Sequence, residues 1–222
     1  MAQYKVVEKF VSINGEGPLA GQLAVFIRFQ GCNLACSYCD TSWANTESTA
    51  FTLMSEVDLY RYVKTTGIKN VTLTGGEPLL QPSIIDLLKL LTSDVDLSVE
   101  IETNGSIDIT PFTLMDHPPL FTMDYKLPGS LMESSMLVSN FEPLTNRDTV
   151  KFVIGSLEDF EVARDIIHRH ALVGKCKVFL SAVFGKISLK EIVALMKDHH
   201  LNGVNLQLQM HKVIWDPNEK GV

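Results

Sequence analysis

The hydrophobic positions of the chain fall into short apolar runs that alternate with longer amphipathic stretches. Apolar runs bounded by turn residues are typical of strands, and we predict strands over residues 4–13, 23–29, 70–73, 97–102, 118–123, 149–154, 177–183 and 204–208. Apolar positions at helical spacing predict helices over residues 54–66, 83–91, 157–170 and 189–199. This alternation indicates an α/β fold with a parallel sheet, open or closed. Because no internal repeat or linker interrupts the pattern, we predict a single domain over residues 1–222.

Composition and charge narrow the class of protein. Hydrophobic residues make up 45% of the chain and charged residues 20%, as in ordinary globular proteins. A net charge of −7 argues against nucleic-acid binding, which normally needs a basic face. We expect no membrane span, because no apolar run approaches about 18 residues, and the first residues lack the apolar run of a signal peptide. The cysteines form a poor disulfide framework, which favours a reducing, cytoplasmic setting.

Three of the four cysteines are clustered, and their spacing is the strongest chemical signal in the chain. Cys32, Cys36 and Cys39 form a Cys-x3-Cys-x2-Cys pattern directly after the second predicted strand. Thiolates placed in this way are soft ligands that suit an iron–sulfur cluster, and three of them leave one iron open for another ligand. The alternative is a zinc knuckle that takes its fourth ligand from elsewhere in the chain. Cys176 stands alone and is expected to be a core thiol.

Further polar motifs follow the predicted strands. Ligands of parallel α/β proteins bind at the carboxyl ends of the strands, so we expect these motifs to share one site. They are Gly75-Gly76-Glu77-Pro78, Glu102-Thr103-Asn104-Gly105 and Asp124-Tyr125-Lys126.

Arg28 is the exceptional residue of an otherwise apolar strand. A guanidinium in such a run needs an anionic partner, because burying it unpaired is costly. A structural salt bridge would meet this need. Its position four residues before Cys32 favours the other reading, in which it binds a substrate anion.

Taken together, the cysteine pattern and Gly75-Gly76-Glu77-Pro78 resemble the radical S-adenosylmethionine superfamily. The resemblance implies that superfamily's partial, truncated TIM-like barrel, with parallel strands inside and helices outside. Shorter motifs at both ends of the chain resemble, more narrowly, the 7-carboxy-7-deazaguanine synthase family. They are Gly15-Glu16-Gly17, Phe26-Ile27-Arg28-Phe29, Gly31-Cys32-Asn33-Leu34, Cys39-Asp40-Thr41, Thr74 with the Gly-Gly-Glu-Pro motif, Glu102-Thr103-Asn104-Gly105 and Gln209-Met210-His211-Lys212.

The family resemblance implies a reaction and its partners. The activity would be the radical ring contraction of 6-carboxy-5,6,7,8-tetrahydropterin to 7-carboxy-7-deazaguanine with loss of ammonia, on the route to queuosine and related 7-deazapurines. The implied cofactors are a [4Fe-4S] cluster, S-adenosylmethionine and Mg²⁺. A homodimer, and an electron donor such as a flavodoxin or ferredoxin, are also expected.

The same resemblance assigns roles to residues at matching positions. Cys32, Cys36 and Cys39 would hold the cluster, and Thr41 would ligate Mg²⁺, which prefers oxygen. Residues expected to bind S-adenosylmethionine are Tyr38, Cys39, Asp40, Gly76, Glu77, Asp124, Tyr125 and Lys126. Residues expected to bind the pterin are Ile13, Asn14, Gly15, Glu16, Arg28, Thr74 and His211, with the planar fork of Arg28 suited to its carboxylate.

The chain departs from the family pattern at two places, and two other functions remain open. Asn14 stands where the family often has Gln, and Asp124-Tyr125-Lys126 stands where it frequently has Ser-Pro-Lys. One rival function is an activase that generates a glycyl radical on a partner enzyme. The other is a non-catalytic zinc or iron–sulfur protein, which would be colourless with zinc or would fail to cleave S-adenosylmethionine.

Overall fold

The described residues of the computed structural model, 2–216 and 219–222, form one nine-stranded sheet. The strands are β1 (Tyr4–Ile13), β2 (Leu23–Phe29), β3 (Thr52–Met54), β4 (Asn70–Gly75), β5 (Ser98–Thr103), β6 (Leu120–Tyr125), β7 (Thr149–Ile154), β8 (Lys177–Ala182) and β9 (Val204–Gln207). Their order across the sheet is β3-β1-β2-β4-β5-β6-β7-β8-β9. All pairs from β2 to β9 are parallel, whereas β1 pairs antiparallel with β2 and with β3.

Short 3-10 helices lie between β6 and β7, and α-helices follow the other strands from β3 onward. The α-helices are α1 (Glu56–Thr66), α2 (Ile84–Thr92), α3 (Thr110–Thr113), α4 (Leu157–Arg169), α5 (Leu189–Asp198) and α6 (His211–Ile214). Serine side chains accept hydrogen bonds from backbone amides at the first turns of α1, α4 and α5, and a left-handed glycine, Gly67, ends α1. Each of these serine caps stabilises its helix by about 1 kcal/mol. No helix in the described part of the chain has the length and apolar character needed to cross a membrane.

The central strands have one apolar face and one polar face, because neighbouring side chains point to opposite sides of a strand. The apolar face carries buried side chains such as Leu73, Ile101, Phe121 and Phe152, which belong to one core with residues of the helices. Burial of each such side chain contributes about 1.5–3 kcal/mol. The other face, called the polar face below, carries Thr72, Thr74, Glu100, Glu102, Thr122, Asp124 and Lys151.

The sheet does not close on itself, since β3 and β9 are its two edges. The loop after β1 spans the open side. Gly17 N donates to Gln207 Oε1 at 2.7 Å, and Met210 N donates to the carbonyl of Gly15 at 3.0 Å. The same loop reaches the polar face, where Thr72 Oγ1 donates to Asn14 Oδ1 at 3.0 Å. The arrangement agrees with the expected partial barrel.

Most predicted elements are confirmed, and the differences have physical causes. The strand predicted from residue 118 begins at Leu120, two residues later, because Pro118 and Pro119 have no N–H to donate to a neighbouring strand. The helix predicted from residue 54 begins at Glu56, because Ser55 caps it. The prediction missed β3, which is only three residues long, and the antiparallel direction of β1.

Candidate functional site

A cavity of about 740 Å³ opens at the carboxyl ends of the parallel strands. Its lining comes from the cysteine loop, from the polar face of the sheet, from the loop after β1 and from the segment around α6. Small-molecule and cofactor sites span about 300–1,000 Å³, so the space suits one or two small ligands. The predicted common edge of the polar motifs is therefore where the structure forms its cavity.

All three clustered cysteines line this cavity as free thiols. Leu34 N donates to Cys32 Sγ at 3.4 Å, and Asn104 Nδ2 lies 3.6 Å from the same sulfur. The loop is held to the segment after β6, because Ser37 donates from its backbone to Ser130 O at 3.0 Å and from its hydroxyl to Gly129 O at 2.6 Å. The cysteine loop is thus fixed against the barrel.

The three thiols are the soft ligands that an iron–sulfur cluster takes. Among the described residues, no three His, Cys, Asp or Glu side chains are gathered closely enough to hold one ion. Thiolates of a cubane cluster bind different irons, so they stand farther apart than the ligands of one ion. Burial, followed by smaller effects that include neighbouring thiols, raises the pKa of Cys32 and of Cys36. Bound iron would remove this cost, since metal ligation stabilises the thiolate.

Gly75 and Gly76 lie against the backbone that leads into the cysteine loop. Gly75 has a φ of 131°, and a Cβ there would overlap the backbone of Phe29. A Cβ on Gly76 would overlap the carbonyl oxygen of Gly31 and Asn45 Oδ1. Gly76 N donates to Phe29 O at 3.3 Å, and Glu77 N donates to Gly31 O at 2.9 Å. The glycines therefore allow the end of β4 to pack directly on the cysteine loop.

Glu77 is fully buried and is not among the cavity-lining residues that the structure describes. Its carboxylate accepts from Leu79 N at 3.1 Å, Thr103 Oγ1 at 2.9 Å and Asn104 N at 2.7 Å. Burial raises its pKa, while these hydrogen bonds act in the opposite direction. The carboxylate thus fixes the loop that presents Asn104 to the cysteines.

Two unpartnered polar atoms border the expected cofactor region. Tyr38 Oη and Asp124 Oδ1 are buried without a hydrogen-bond partner among the described residues. Both residues line the cavity, so a ligand there could satisfy them. Burial, with a smaller effect from Asp124, raises the pKa of Tyr38, which keeps its hydroxyl protonated. The unpartnered carboxylate oxygen of Asp124 and this hydroxyl fit a polar cofactor such as S-adenosylmethionine.

Asp124 belongs to an ion-pair network on the polar face. Its Oδ2 lies 3.0 Å from Lys126 Nζ and 3.6 Å from Lys151 Nζ. Burial alone would raise the pKa of Asp124, but the two lysines outweigh it and lower the pKa. Tyr125 differs from its neighbours, because its ring packs in the core against Phe141 and Phe152.

Glu16 is held at two points on the other side of the cavity. Lys151 Nζ lies 2.5 Å from its Oε2, and Gln209 Nε2 donates to its Oε1 at 2.6 Å. His211 is packed beside this loop, since a Cβ on Gly15 would lie 2.5 Å from His211 Nδ1. Burial lowers the pKa of His211, so the imidazole is neutral at pH 7. His211 also lines the cavity.

Arg28 lines the cavity and is also part of a salt bridge. Its Nε lies 3.1 Å from Glu8 Oε2, so the structural pairing that the sequence left open is present. Neither terminal guanidinium nitrogen has a hydrogen bond to any described residue, and both are free for a carboxylate. Thr74 lies opposite Arg28 in the strand register, and its hydroxyl donates to Glu102 Oε2 at 2.7 Å.

The remaining predicted residues divide between the cavity and the sheet interior. Ile13, Asp40 and Thr41 line the cavity, whereas Asn14 is not one of the described lining residues. Asn14 Nδ2 is buried without a partner among those residues. Thr41 Oγ1 lies 3.7 Å from Cys39 Sγ, and the Asp40 carboxylate lies 3.5 Å from Lys212 Nζ.

Sequence reasoning missed several residues of the site. Lys151 lines the cavity and was not predicted, whereas Glu102, Asn104 and Gln209, which also line it, were noted only as parts of motifs. The signal for Glu102 and Lys151 was present in their strands, where polar and apolar residues alternate. A fully buried parallel strand would be apolar throughout, so charged residues at every second position indicate a polar ligand-binding face.

The fold and the site together define a radical S-adenosylmethionine protein, and the family model described as the Radical SAM superfamily matches residues 26–113. The chain is 58% identical over 219 residues to the 7-carboxy-7-deazaguanine synthase of Clostridium acetobutylicum, covering 99% of each chain. It is 34% identical over 224 residues to that of Chlorobaculum tepidum, covering 100% of this chain and 98% of the other. This chain belongs to the 7-carboxy-7-deazaguanine synthase family.

The crystal structure of QueE from Escherichia coli is similar to the whole fold. The TM-score is 0.72 at 25% sequence identity, and the match covers 92% of this chain and 94% of that one.

Proposed function

We propose that the chain is a 7-carboxy-7-deazaguanine synthase, a radical S-adenosylmethionine lyase. It converts 6-carboxy-5,6,7,8-tetrahydropterin to 7-carboxy-7-deazaguanine and releases ammonia, in the biosynthesis of queuosine and related 7-deazapurines. The observation that carries the proposal is the 58% identity over 99% of the chain to a protein of that name. One cavity lined by the three cysteines, Arg28 and Glu16 supports it.

Residues of the cysteine loop and of two strand ends hold the cofactors. Cys32, Cys36 and Cys39 ligate a [4Fe-4S] cluster, which with S-adenosylmethionine supplies the radical that starts the reaction. Gly76 and Glu77 form the methionine end of the cofactor site, and Glu77 acts there through the backbone that it fixes. Backbone of Tyr38, Cys39 and Asp40 contacts the adenosine part. Asp124 and Lys126 complete this site with their side chains, and Tyr125 contributes backbone only.

The substrate lies between Arg28 and the loop after β1. The two free terminal nitrogens of Arg28 bind the pterin carboxylate as a fork. Glu16 accepts hydrogen bonds from the amino edge of the pterin, and backbone at Ile13, Asn14 and Gly15 assists. Thr74 and neutral His211 supply further hydrogen bonds. The polar and charged groups of the lining fix the orientation of the ring.

A magnesium ion binds near the substrate, with the hydroxyl of Thr41 as its protein ligand. Mg²⁺ keeps several waters and takes few protein ligands when substrate oxygens are present. The hydroxyl of Thr41, at the cavity wall, suits such a site with one protein ligand. The enzyme is a cytoplasmic homodimer of single-domain chains, and a flavodoxin or ferredoxin supplies its electrons.

The test is an anaerobic assay of the reconstituted protein alone. The purified chain should be brown, should carry about four irons and should cleave S-adenosylmethionine when reduced. It should consume 6-carboxytetrahydropterin without any protein partner other than the electron donor. Cleavage of S-adenosylmethionine without pterin turnover would favour an activase. A colourless protein with one zinc would show a non-catalytic metal protein.

A further inference from the structure

Lys151 lies on the part of the polar face that β7 contributes, and the proposed function gives it no role. It lies opposite Asp124 in the register of β6 and β7, so the backbone of the sheet fixes its position. Its side chain is 13% exposed and lines the cavity. A lysine this buried needs anionic partners, because an unpaired ammonium would be costly.

Three carboxylates surround the ammonium of Lys151. Glu16 Oε2 lies at 2.5 Å and Asp124 Oδ2 at 3.6 Å, and Glu102 attracts it electrostatically. Burial would lower the pKa of Lys151, but these carboxylates raise it well above its ordinary value. The side chain is therefore a permanent cation and is unsuited to proton transfer. Its role is to hold other groups in place.

The partners of Lys151 belong to different ligand sites. Glu16 comes from the loop after β1 on the pterin side, whereas Asp124 stands at the end of β6 on the cofactor side. Lys126 also pairs with Asp124, but its only ion pair within the described chain is with that residue. Among the described lysines, Lys151 alone joins Glu16 to Asp124.

We infer that Lys151 is a positioning residue that orients Glu16 for the pterin and Asp124 for S-adenosylmethionine, and so couples the binding of the two ligands. The inference rests on the proposed function. When the pterin binds, it orders Glu16, and through Glu16 it orders the ammonium of Lys151 and prepares Asp124 for S-adenosylmethionine. When S-adenosylmethionine binds first, it acts through Asp124 and Lys151 on Glu16 in the same way. Such a coupling is reciprocal, so bound pterin should tighten the binding of S-adenosylmethionine, and bound S-adenosylmethionine should tighten the binding of the pterin by the same factor.

The experiment compares Lys151→Met with the wild-type holoenzyme. In the wild type we expect pterin to tighten S-adenosylmethionine at least about 5-fold, the lower end of ordinary allosteric couplings. In Lys151→Met we expect that factor to fall below about 2, and the KM for pterin to rise about 30-fold or more, because Glu16 loses its buried partner. Iron content should be retained. Lys151→Arg keeps the charge and should recover part of the pterin KM.

A double variant tests whether Lys151 acts through Glu16. Because contacting residues are non-additive, Glu16→Gln combined with Lys151→Met should raise the pterin KM little more than Glu16→Gln alone. Lys190→Met, on the exposed face of α5, is the matched control and should behave as wild type. If Lys151→Met does not fold, Lys151→Gln replaces it, since glutamine keeps a donor for Glu16 but carries no charge to join Asp124.

The outcomes separate this inference from the proposed function. A wild-type protein that does not turn over the pterin contradicts the proposed function. A wild-type enzyme that turns over without coupled binding contradicts the inference, and so does a Lys151 variant that keeps the wild-type coupling and pterin KM. Additive effects of the Glu16 and Lys151 substitutions would also overturn it.

Discussion

A methyl group on Gly76 tests whether the end of β4 fixes the cysteine loop. The Cβ of Gly76→Ala would overlap the carbonyl oxygen of Gly31 and Asn45 Oδ1. Overpacking typically costs about 1–3 kcal/mol, and a backbone carbonyl cannot rotate away, so the upper end applies. For a chain of this size about 3 kcal/mol lowers Tm by roughly 6–12 °C. The hydrogen bond from Glu77 N to Gly31 O, 2.9 Å long, would also be strained.

Thermal melts and iron analysis of the reconstituted variant would measure both effects. The methyl group displaces the backbone immediately before Cys32, so we expect iron content and S-adenosylmethionine cleavage to fall together with Tm. Gly67→Ala is the matched control, because Gly67 ends α1 with a φ of 70° and an added Cβ there meets no described atom within 4 Å. It should cost about 1–2 kcal/mol in strain and retain full iron. A Gly76→Ala protein with wild-type Tm and iron would refute the reasoning.

Three other predictions concern Glu100, Arg28 and the cysteines. Burial and nearby Glu102 raise the pKa of Glu100 from 4.5 to about 7 in the folded protein. The contribution of Glu100 to the stability of the fold is therefore fully present below pH 4.5, where its carboxyl is protonated, and is lost as the pH rises through 7. Relative to Glu100→Gln, the wild type should lose about 3 kcal/mol across this range, and parallel Tm profiles would contradict it. Arg28→Ala should retain iron and uncoupled S-adenosylmethionine cleavage but raise the pterin KM; loss of iron would make Arg28 a structural residue. Cys36→Ala should lose the cluster and the activity. Cys176 is a buried core thiol, so Cys176→Ala should lower stability only. Iron analysis of both variants tests this difference.

Local patterns were sufficient for eight of the nine strands and for the four long helices. The run Thr149–Ile154 was predicted with its observed bounds, because its β-branched and aromatic residues are bounded by polar turns. The capped helices were also predictable, since Ser156 and Ser188 precede apolar residues at helical spacing. The antiparallel direction of β1 was missed, although the connection from Ile13 to Leu23 is shorter than the dozen or so residues that a parallel crossover needs.

The cysteine loop and the Gly-Gly-Glu motif were predictable as a shared site, but their direct packing was not. The sequence suggested that Gly76 approaches a ligand, whereas the structure brings it against the carbonyl of Gly31. Glu77 was expected to face the cofactor, and it is instead buried among three donors. The burial of the Glu77 side chain depends on a loop that is distant in sequence, because its partners Thr103 and Asn104 lie 26 and 27 residues further along the chain.

The sequence predicted that Arg28 needs an anionic partner but did not identify that partner. Its need for an anionic partner followed from the apolar strand around it, and Glu8 on β1 meets part of that need. The partner could not be identified beforehand, because it depends on the antiparallel pairing of Glu8 with Arg28. That pairing uses Nε alone, so the substrate-binding prediction for Arg28 remains open to the assay proposed above.

Product formation tests the central claim most directly. The reconstituted chain, reduced under anaerobic conditions, would be supplied with 6-carboxytetrahydropterin, S-adenosylmethionine and Mg²⁺. Mass spectrometry would quantify 7-carboxy-7-deazaguanine, and a separate assay would quantify ammonia. We predict that both products form in equal amounts and that omission of the pterin abolishes both. Unchanged pterin in a brown protein that still cleaves S-adenosylmethionine would contradict the claim.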